Sequence, residues 1–274
     1  MELKNIYTLK LPIQRGEGGR YNAIRDIDLI VIGAGGTGSY FLSLISRVIK
    51  CRENDLKIYT HIFDGDIVEA KNTARQVFTI KDVGQTKVAS LARRISNTYQ
   101  IPVSAHAEFL ESDNEILDLL KSAEENRRYP IIVGCVDSMQ CRKMIDQAMK
   151  KFTGKAMWID AGNEEFFGQV IINTVGGVSL NEFEQLGVDE GYFNLPSFVD
   201  IAPELFEGNL QKTSEISCAE HAMENVQNIG ANIFSATCLF MVLNNLFADS
   251  GVSSSMIKFD AKLMFAHNTP ITVD

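Results

Sequence analysis

Short apolar runs alternate along this chain with longer segments whose apolar positions recur at helical spacing. Residues 29–33, Leu-Ile-Val-Ile-Gly, carry no charge and are rich in β-branched side chains, the pattern of a strand buried on both faces. A helix over 37–50 and a second strand over 57–63 follow. Residues 83–100 predict a helix in which Val88, Leu91, Ala92, Ile95 and Tyr99 share one face, with Lys87, Arg93 and Arg94 elsewhere on the wheel. Ile101-Pro102-Val103 ends that helix and starts a short strand to His106, because a residue before proline avoids the helical region. Ser112-x-x-Glu115 has capping-box spacing and opens a helix to about Glu125. A strand over 130–136, a helix over 138–151 and strands over 157–161 and 168–175 complete the series.

The turn after the first strand reads Gly33-Ala34-Gly35-Gly36-Thr37-Gly38. In a Gly-x-Gly-x-x-Gly turn the first glycine permits the tight bend, the second lets backbone approach a phosphate, and the third lets the helix pack close on the strand. The helix beyond would aim its N-terminal N–H groups at an anion. The second strand delivers Asp64 at its carboxyl end, where an acid can accept hydrogen bonds from ribose hydroxyls. The opening unit therefore predicts a nucleotide site.

Strands alternating with helices specify a parallel sheet covered on both faces. The link between residues 161 and 168 is too short for a crossover helix, so the sixth strand is predicted antiparallel. The expected fold is α/β: a doubly wound, Rossmann-like, mainly parallel sheet with added antiparallel strands, in a single domain. Its parts are an N-terminal arm over 1–27, a nucleotide-binding core over 28–175, an acidic crossover over 176–216, and a closing helix with a C-terminal strand over 217–274. The arm centres on Arg15-Gly16-Glu17-Gly18-Gly19-Arg20 and reads as a loop that orders against a partner. Ser217-Cys218-Ala219-Glu220 repeats the capping-box spacing ahead of an apolar helix through Phe247. Met223, Val226, Ile233, Phe234, Leu239, Met241, Val242 and Leu246 predict burial of that helix against the sheet or a second subunit. The alternating run 256–265 reads as one final strand.

Composition narrows the function classes. The 45% apolar content is that of a globular core, and a net charge of −9 argues against a nucleic-acid binder, which needs clustered Lys and Arg. Cys51, Cys135, Cys141, Cys218 and Cys238 form an odd set without a Cys-x-x-Cys pair, which favours reduced thiols and no structural zinc. The N-terminus shows no signal-peptide pattern and no apolar run has membrane-spanning length, so the expected location is cytoplasmic, with no membrane partner. From 156 to 211 there is no Lys, Arg or His, while Asp160, Glu164, Glu165, Glu182, Glu184, Asp189, Glu190, Asp200, Glu204 and Glu207 occur. Phe183, Tyr192, Phe193, Leu195, Phe198 and Phe206 are interspersed among them. Two readings stand: a solvated loop, or an acidic, aromatic channel for a basic peptide.

Past Asp64 lie Asp66, Asn72, Arg75, Gln76 and Lys87, with Asp137 at the end of the fourth strand. All fall at the edge where open α/β sheets bind ligands. A hydride-transfer site does not need Asn-x-x-Arg-Gln and a downstream Lys. Those groups suit a triphosphate, because a guanidinium forks onto phosphate oxygens, an ammonium supplies a point charge, and amides fix orientation. Asp137 could then hold Mg²⁺, a hard cation that favours carboxylate and phosphate oxygens.

Gly33-x-Gly-Gly36-x-Gly38, Asp64-x-Asp66-x-Val68-Glu69-x-x-Asn72-x-x-Arg75-Gln76, Gly84-x-x-Lys87 and Cys135-Val136-Asp137 together resemble the ubiquitin-activating-enzyme-like superfamily that includes ThiF, MoeB and HesA. The resemblance covers residues 27–175 and resumes more loosely at 217–220. It implies adenylation of a C-terminal carboxylate, commonly that of a ubiquitin-like protein, by ATP and magnesium. On the matching positions, Asp64 would bind ribose, Asn72, Arg75, Gln76 and Lys87 would position the triphosphate, and Asp137 would coordinate magnesium. The family works as dimers in which a neighbouring arginine reaches the phosphates; Arg20 is the candidate here, followed by Arg15 and Arg25. Some relatives pass the acyl group to a cysteine, a role open to Cys218, whose alternative is a small helix-start residue facing the core. Cys135 and Cys238 read as packing residues. Paired Cys-x-x-Cys zinc ligands of bacterial relatives have no counterpart. Other classes considered are a nicotinamide-dependent oxidoreductase and a non-catalytic subunit that only orients a partner.

Overall fold

A computed structural model describes residues 5–13, 26–203 and 229–273. Its centre is an eight-stranded sheet, and each strand of the parallel run reflects an apolar segment of the sequence. β1 (Thr8–Leu9) lies outside that sheet. β2 (Asp26–Ile32) is followed by α1 (Gly36–Arg52), β3 (Ile58–Phe63), α2 (Lys87–Tyr99) and β4 (Val103–His106). Then come α3 (Asp113–Glu125), β5 (Arg128–Gly134), α4 (Met139–Lys151), β6 (Ala156–Asn163) and β7 (Phe167–Val175). A strap follows, made of α5 (Leu180–Gln185), β8 (Glu190–Gly191) and α6 (Phe198–Ile201). The chain closes with α7 (Ile229–Phe247), β9 (Ser254–Asp260) and β10 (Phe265–Pro270).

The sheet order is β10-β9-β7-β6-β5-β2-β3-β4. The run β6-β5-β2-β3-β4 is parallel, while β7 pairs antiparallel with β6 and β9, and β10 with β9. Chain order reverses between β2 and β5, so a crevice opens beyond their carboxyl ends, where such sheets bind ligands. Period-2 alternation explains why β2 carries no polar residue between Leu29 and Ile32. Leu29 and Val31 enter the core beneath α1, α2 and α7, while Ile30 and Ile32 enter the core beneath α3 and α4. Each such side chain contributes roughly 1.5–3 kcal/mol on leaving water.

Several elements differ from the sequence reading. The 1–27 arm is not wholly an arm. Tyr7, Leu9 and Leu11 are buried in the main core, β1 pairs with β8, and Asp26 and Ile27 already belong to β2. The helix expected from 83 starts at Lys87, because Gly84 has φ +86° and the Thr86 hydroxyl accepts from Ala89 N–H (3.4 Å). Ser112 caps α3 by accepting from Glu115 N–H (3.3 Å), but the Glu115 carboxylate turns back to Glu111 N–H (2.9 Å) instead of to Ser112. The single strand over 256–265 is two strands. The Asp260 carboxylate accepts from the N–H groups of Lys262 (2.8 Å) and Leu263 (2.9 Å), and Met264 takes φ 57°, which folds the run into a hairpin.

Among the described residues the predicted crossover is only partly a loop, and its aromatics pack inward instead of lining a channel. Phe183, Phe193, Leu195 and Phe198 are buried in the two cores, and the Tyr129 hydroxyl donates to Tyr192 Oη (3.0 Å). The acids are largely engaged. Glu184 accepts from the Tyr7 hydroxyl (2.9 Å), Glu182 closes a capping box with Ser179, and Asp200 does so with Ser197. Phe206, Glu204 and Glu207 lie outside the described residues. α7 packs on α1, β6 and β7 as expected of an apolar helix, although Ile233 and Met241 face outward at 41% and 47% exposure. Contrary to the sequence reading, this helix is long and apolar enough to cross a membrane by length and composition, with half of it buried in the fold. Its predicted start at Ser217 lies outside the described residues, as do Met223 and Val226.

Candidate active site

Three glycines of the turn are fixed by what surrounds them. Gly33 ends β2 with φ +97°, donates its N–H to Phe63 carbonyl (2.9 Å), and leaves no room for a Cβ, which would lie 2.5 Å from the Cys135 carbonyl oxygen. A Cβ on Gly38 would meet the Gly33 carbonyl at 2.0 Å, so the helix packs directly on the turn. One on Gly36 would lie 2.5 Å from Asn232 Nδ2 of α7. Gly35, in contrast, faces open space. Here the backbone borders the crevice, and α1 starts with no side-chain cap and no acid in its first turn, leaving its N-terminal N–H groups toward an anion.

Asp64 ties the turn to the end of β3. It is 7% exposed, and its carboxylate accepts from Ala34 N–H (2.7 Å) and Asp66 N–H (2.8 Å). Each oxygen keeps lone-pair capacity, so the latch that orders the turn can also accept from a sugar hydroxyl. Lys87, at the first position of α2, is the most buried cation of the site. Its ammonium donates to Asp66 at 2.6 Å, with side-chain exposures of 8% for Lys87 and 54% for Asp66.

The segment between them is a 3-10 turn, Ala70–Ala74. Asn72 is buried and accepts from Glu69 N–H (2.8 Å) while the Glu69 side chain caps in return, so the Asn72 carbonyl group is structural. Next to it, Arg75 Nε and Gln76 Oε1 are buried without a hydrogen-bond partner. Buried polar atoms are seldom left unpaired, so both residues keep hydrogen-bonding capacity that the described chain does not use. Asp137 is exposed. It does not end the strand as expected, since β5 stops at Gly134 and Asp137 sits on the loop into α4, just before the capping Ser138. No group of three or more His, Cys, Asp or Glu placed to hold a metal occurs among the described residues. A Mg²⁺ site built from one carboxylate and substrate phosphates does not require one.

The sequence reading missed two networks. Arg142 of α4 and Asp160 of β6 form a buried pair, Nε to Oδ2 at 2.7 Å, and Arg142 Nη2 also donates to the carbonyls of Val136 (2.6 Å) and Ala161 (3.1 Å). Arg142 thus ties down the residue before Asp137. Burial raises the Asp160 pKa, and Arg142 opposes that shift. An acid inside the apolar run 157–161 was the available signal, because a buried charge requires a partner. The second network joins three elements: the Thr37 hydroxyl donates to Asn163 Oδ1 (3.1 Å) and Asn163 Nδ2 to Asn232 Oδ1 (3.0 Å). Nothing in the spacing of these residues pointed to it.

Beyond Asp64, His106 of β4 accepts the Asp64 N–H through its carbonyl (3.2 Å) and stacks on Phe63 with centroids 4.1 Å apart. His61 Nδ1 is 3.4 Å from His106 Nε2. Burial and then the His61 charge lower the His106 pKa, against Glu108, which raises it. Burial pushes Cys135 far up, and Cys141 and Cys238 up to about 11, so none of these three is a poised thiolate. Cys218, Arg15, Arg20 and Arg25 lie outside the described residues.

The chain is 28% identical over 174 residues to Ubiquitin-like modifier-activating enzyme 5 of Aedes aegypti, covering 59% of this chain and 40% of that protein. It is 27% identical over 170 residues to the enzyme of that name from Oryza sativa subsp. japonica, covering 59% and 38%. The chain thus spans about two fifths of the length of these curated relatives. Among solved structures, PaaA matches with a TM-score of 0.58 at 15% identity, covering 90% of this chain and 65% of that one. E. coli MccB solved with ATP matches with a TM-score of 0.57 at 15% identity, covering 92% and 66%. These structures share the fold. The sequence model of the ThiF family matches residues 7–185, from the first core residue through the glycine turn and both edges of the crevice, and the chain belongs to the ThiF family.

Proposed function

We propose that this chain adenylates a carboxylate with ATP and Mg²⁺, the carboxylate being the C-terminus of a ubiquitin-like protein or of a peptide. The observation that carries the reading is the pair of orphaned buried atoms, Arg75 Nε and Gln76 Oε1, at the same crevice as open Gly35 and buried Lys87. A carboxylate oxygen would attack the α-phosphorus, the bond to the bridging oxygen of pyrophosphate would break, and acyl adenylate and pyrophosphate would result. Asp64 receives the ribose hydroxyls, the N–H groups at the start of α1 face a phosphate, and Arg75 and Lys87 stabilise charge on the reacting phosphoryl group. Asp137 would hold the magnesium ion, which when bound neutralises charge on the departing pyrophosphate. The reading is supported by the family, by relatives named as ubiquitin-like modifier-activating enzymes, and by MccB solved with AMPCPP and MccA. In a second step the Cys218 thiolate would attack the acyl carbon and AMP would leave, giving a thioester.

ATP–pyrophosphate exchange with ubiquitin-like proteins from the same cell tests the proposal. Partner-dependent exchange should fall by roughly 10²–10³ in Arg75→Ala and Asp137→Ala, with melting temperature little changed. A thioester-linked partner should vanish in Cys218→Ala while exchange persists. Exchange unaffected by either site variant, or tight NAD binding without ATP binding, would overturn the reading.

A further inference from the structure

A 290 Å³ cavity opens between the last turn of α4, β7 and the strap. It lies at the other end of the sheet from the glycine turn, because Val175 of antiparallel β7 pairs with Ala156 at the start of β6. Met149, Val175, Leu180 and Leu195 give it apolar walls, and half-exposed Lys150 and Asp200 stand at its mouth. Asn173 lines it and is 5% exposed. Its Nδ2 donates to the Leu195 carbonyl (2.6 Å), which fixes the amide's orientation and leaves Oδ1 a buried acceptor with no donor.

The charge of the cavity is unbalanced. The Lys150 ammonium bridges Asp146 (3.0 Å) and Asp200 (2.7 Å), so two carboxylates share one cation. Among the described residues no other charged side chain lines the cavity, and the strap over 176–203 has no Lys, Arg or His. At 290 Å³ the cavity falls just under the roughly 300–1,000 Å³ of pockets for drug-sized ligands, so it suits one side chain better than a cofactor. Apolar walls beside an unpaired buried acceptor and two carboxylates on one cation match a long aliphatic stem that ends in donors.

We propose that this cavity receives a lysine or arginine side chain of a protein partner, with its stem against Met149 and Leu195 and its head at Asn173 Oδ1 and the Asp146–Asp200 pair. The site is remote from the nucleotide crevice, so the proposal stands or falls separately from adenylation.

The test is an amide chemical-shift titration of the ¹⁵N-labelled full chain, without nucleotide, using Nα-acetyl-arginine methylamide, its lysine counterpart and the norleucine counterpart as apolar control. The two cationic probes should shift the Asn173 side-chain amide and the Leu195 and Ser197 N–H groups saturably, with millimolar Kd, and norleucine should not. Asn173→Leu should weaken binding about tenfold or more, since it removes the acceptor at nearly constant volume. Asp200→Asn, at the exposed mouth, should also weaken it and serves if Asn173→Leu loosens the strap. Equal binding of norleucine, no cation-induced shift, or unchanged affinity in both variants would overturn the proposal. Free arginine binding tenfold more tightly than the capped form would overturn the protein-partner assignment and make the cavity a small-molecule site.

Discussion

Arg142→Ala isolates the buried pair beside the Asp137 loop. The two side chains are 7% and 5% exposed, and the substitution strands three acceptors at once: the Asp160 carboxylate and the Val136 and Ala161 carbonyls. Without Arg142, the Trp158 indole N–H remains beside the Asp160 carboxylate, a neutral donor that cannot replace a guanidinium. Breaking a buried pair from one side costs about 3–5 kcal/mol, and each stranded carbonyl adds about 1 kcal/mol. A loss of roughly 5 kcal/mol is a large part of an ordinary domain's 5–15 kcal/mol, and corresponds to a melting temperature lower by about 10–20 °C. The double variant Arg142→Met/Asp160→Leu should regain most of that stability, since apolar replacement of both partners removes the stranded charge. It should still show reduced pyrophosphate exchange, because Val136 has lost its tether next to Asp137. The pH dependence has a definite sign. Burial already raises the Asp160 pKa; without Arg142 it rises further, above its unfolded value, so native-state protonation adds stability as pH falls. The cost of Arg142→Ala is therefore largest at neutral to alkaline pH and shrinks on acidification. Urea unfolding followed by circular dichroism at two pH values measures this. A variant within about 1 kcal/mol of the parent, or a cost that grows on acidification, would refute the reasoning.

Gly36→Ala should destabilise by about 1–3 kcal/mol, because its Cβ would lie 2.5 Å from Asn232 Nδ2, and the same substitution should cost clearly less in an Asn232→Ala background. Additive unfolding energies in that cycle would show that the contact does not matter. The lowered His106 pKa means that its neutral form is favoured by the fold; its stabilising contribution is complete above its unfolded value near 6.5 and is lost as pH falls through the folded value. Melting temperature should thus decline on acidification below about pH 6.5, and less so in His106→Gln; an equal decline in both proteins would remove the assignment.

What was legible in the sequence follows from whether a local pattern had one physical solution. The run 29–33 could only be a two-faced buried strand, and the glycine turn with Asp64 after it could only stand at the carboxyl edge. The structure places Asp64, Asp66, Arg75, Gln76 and Lys87 along that edge. Asn72, which the resemblance assigns to the triphosphate, also holds a 3-10 turn through its carbonyl group, a structural use that its spacing alone does not announce. The run 256–265 alternates as a strand should, and no glycine or proline marks the bend that Asp260 makes by capturing two N–H groups. In the strap, acids and aromatics interleave at spacings that suit either a channel or a packed cover. Tertiary contacts decide, and they bury Phe183, Phe193 and Phe198. Arg142 and Asp160, eighteen residues apart, meet only because β5 and β6 are neighbours in the sheet.

The Lys87–Asp66 pair has a consequence for how the crevice responds to ionic strength. If the proposed nucleotide site is right, an incoming phosphate would not meet a bare ammonium; it would replace the Asp66 carboxylate, which is 54% exposed and is readily rehydrated. One anion would take another's place at a cation already supplied with a counter-charge. Dissolved salt would then weaken the outgoing contact and the incoming one together, and the two screening effects would largely cancel. On that reading the salt sensitivity of nucleotide affinity would fall chiefly on Arg75, and Lys87 would serve as a fixed, pre-oriented charge whose placeholder ligand leaves when the nucleotide arrives.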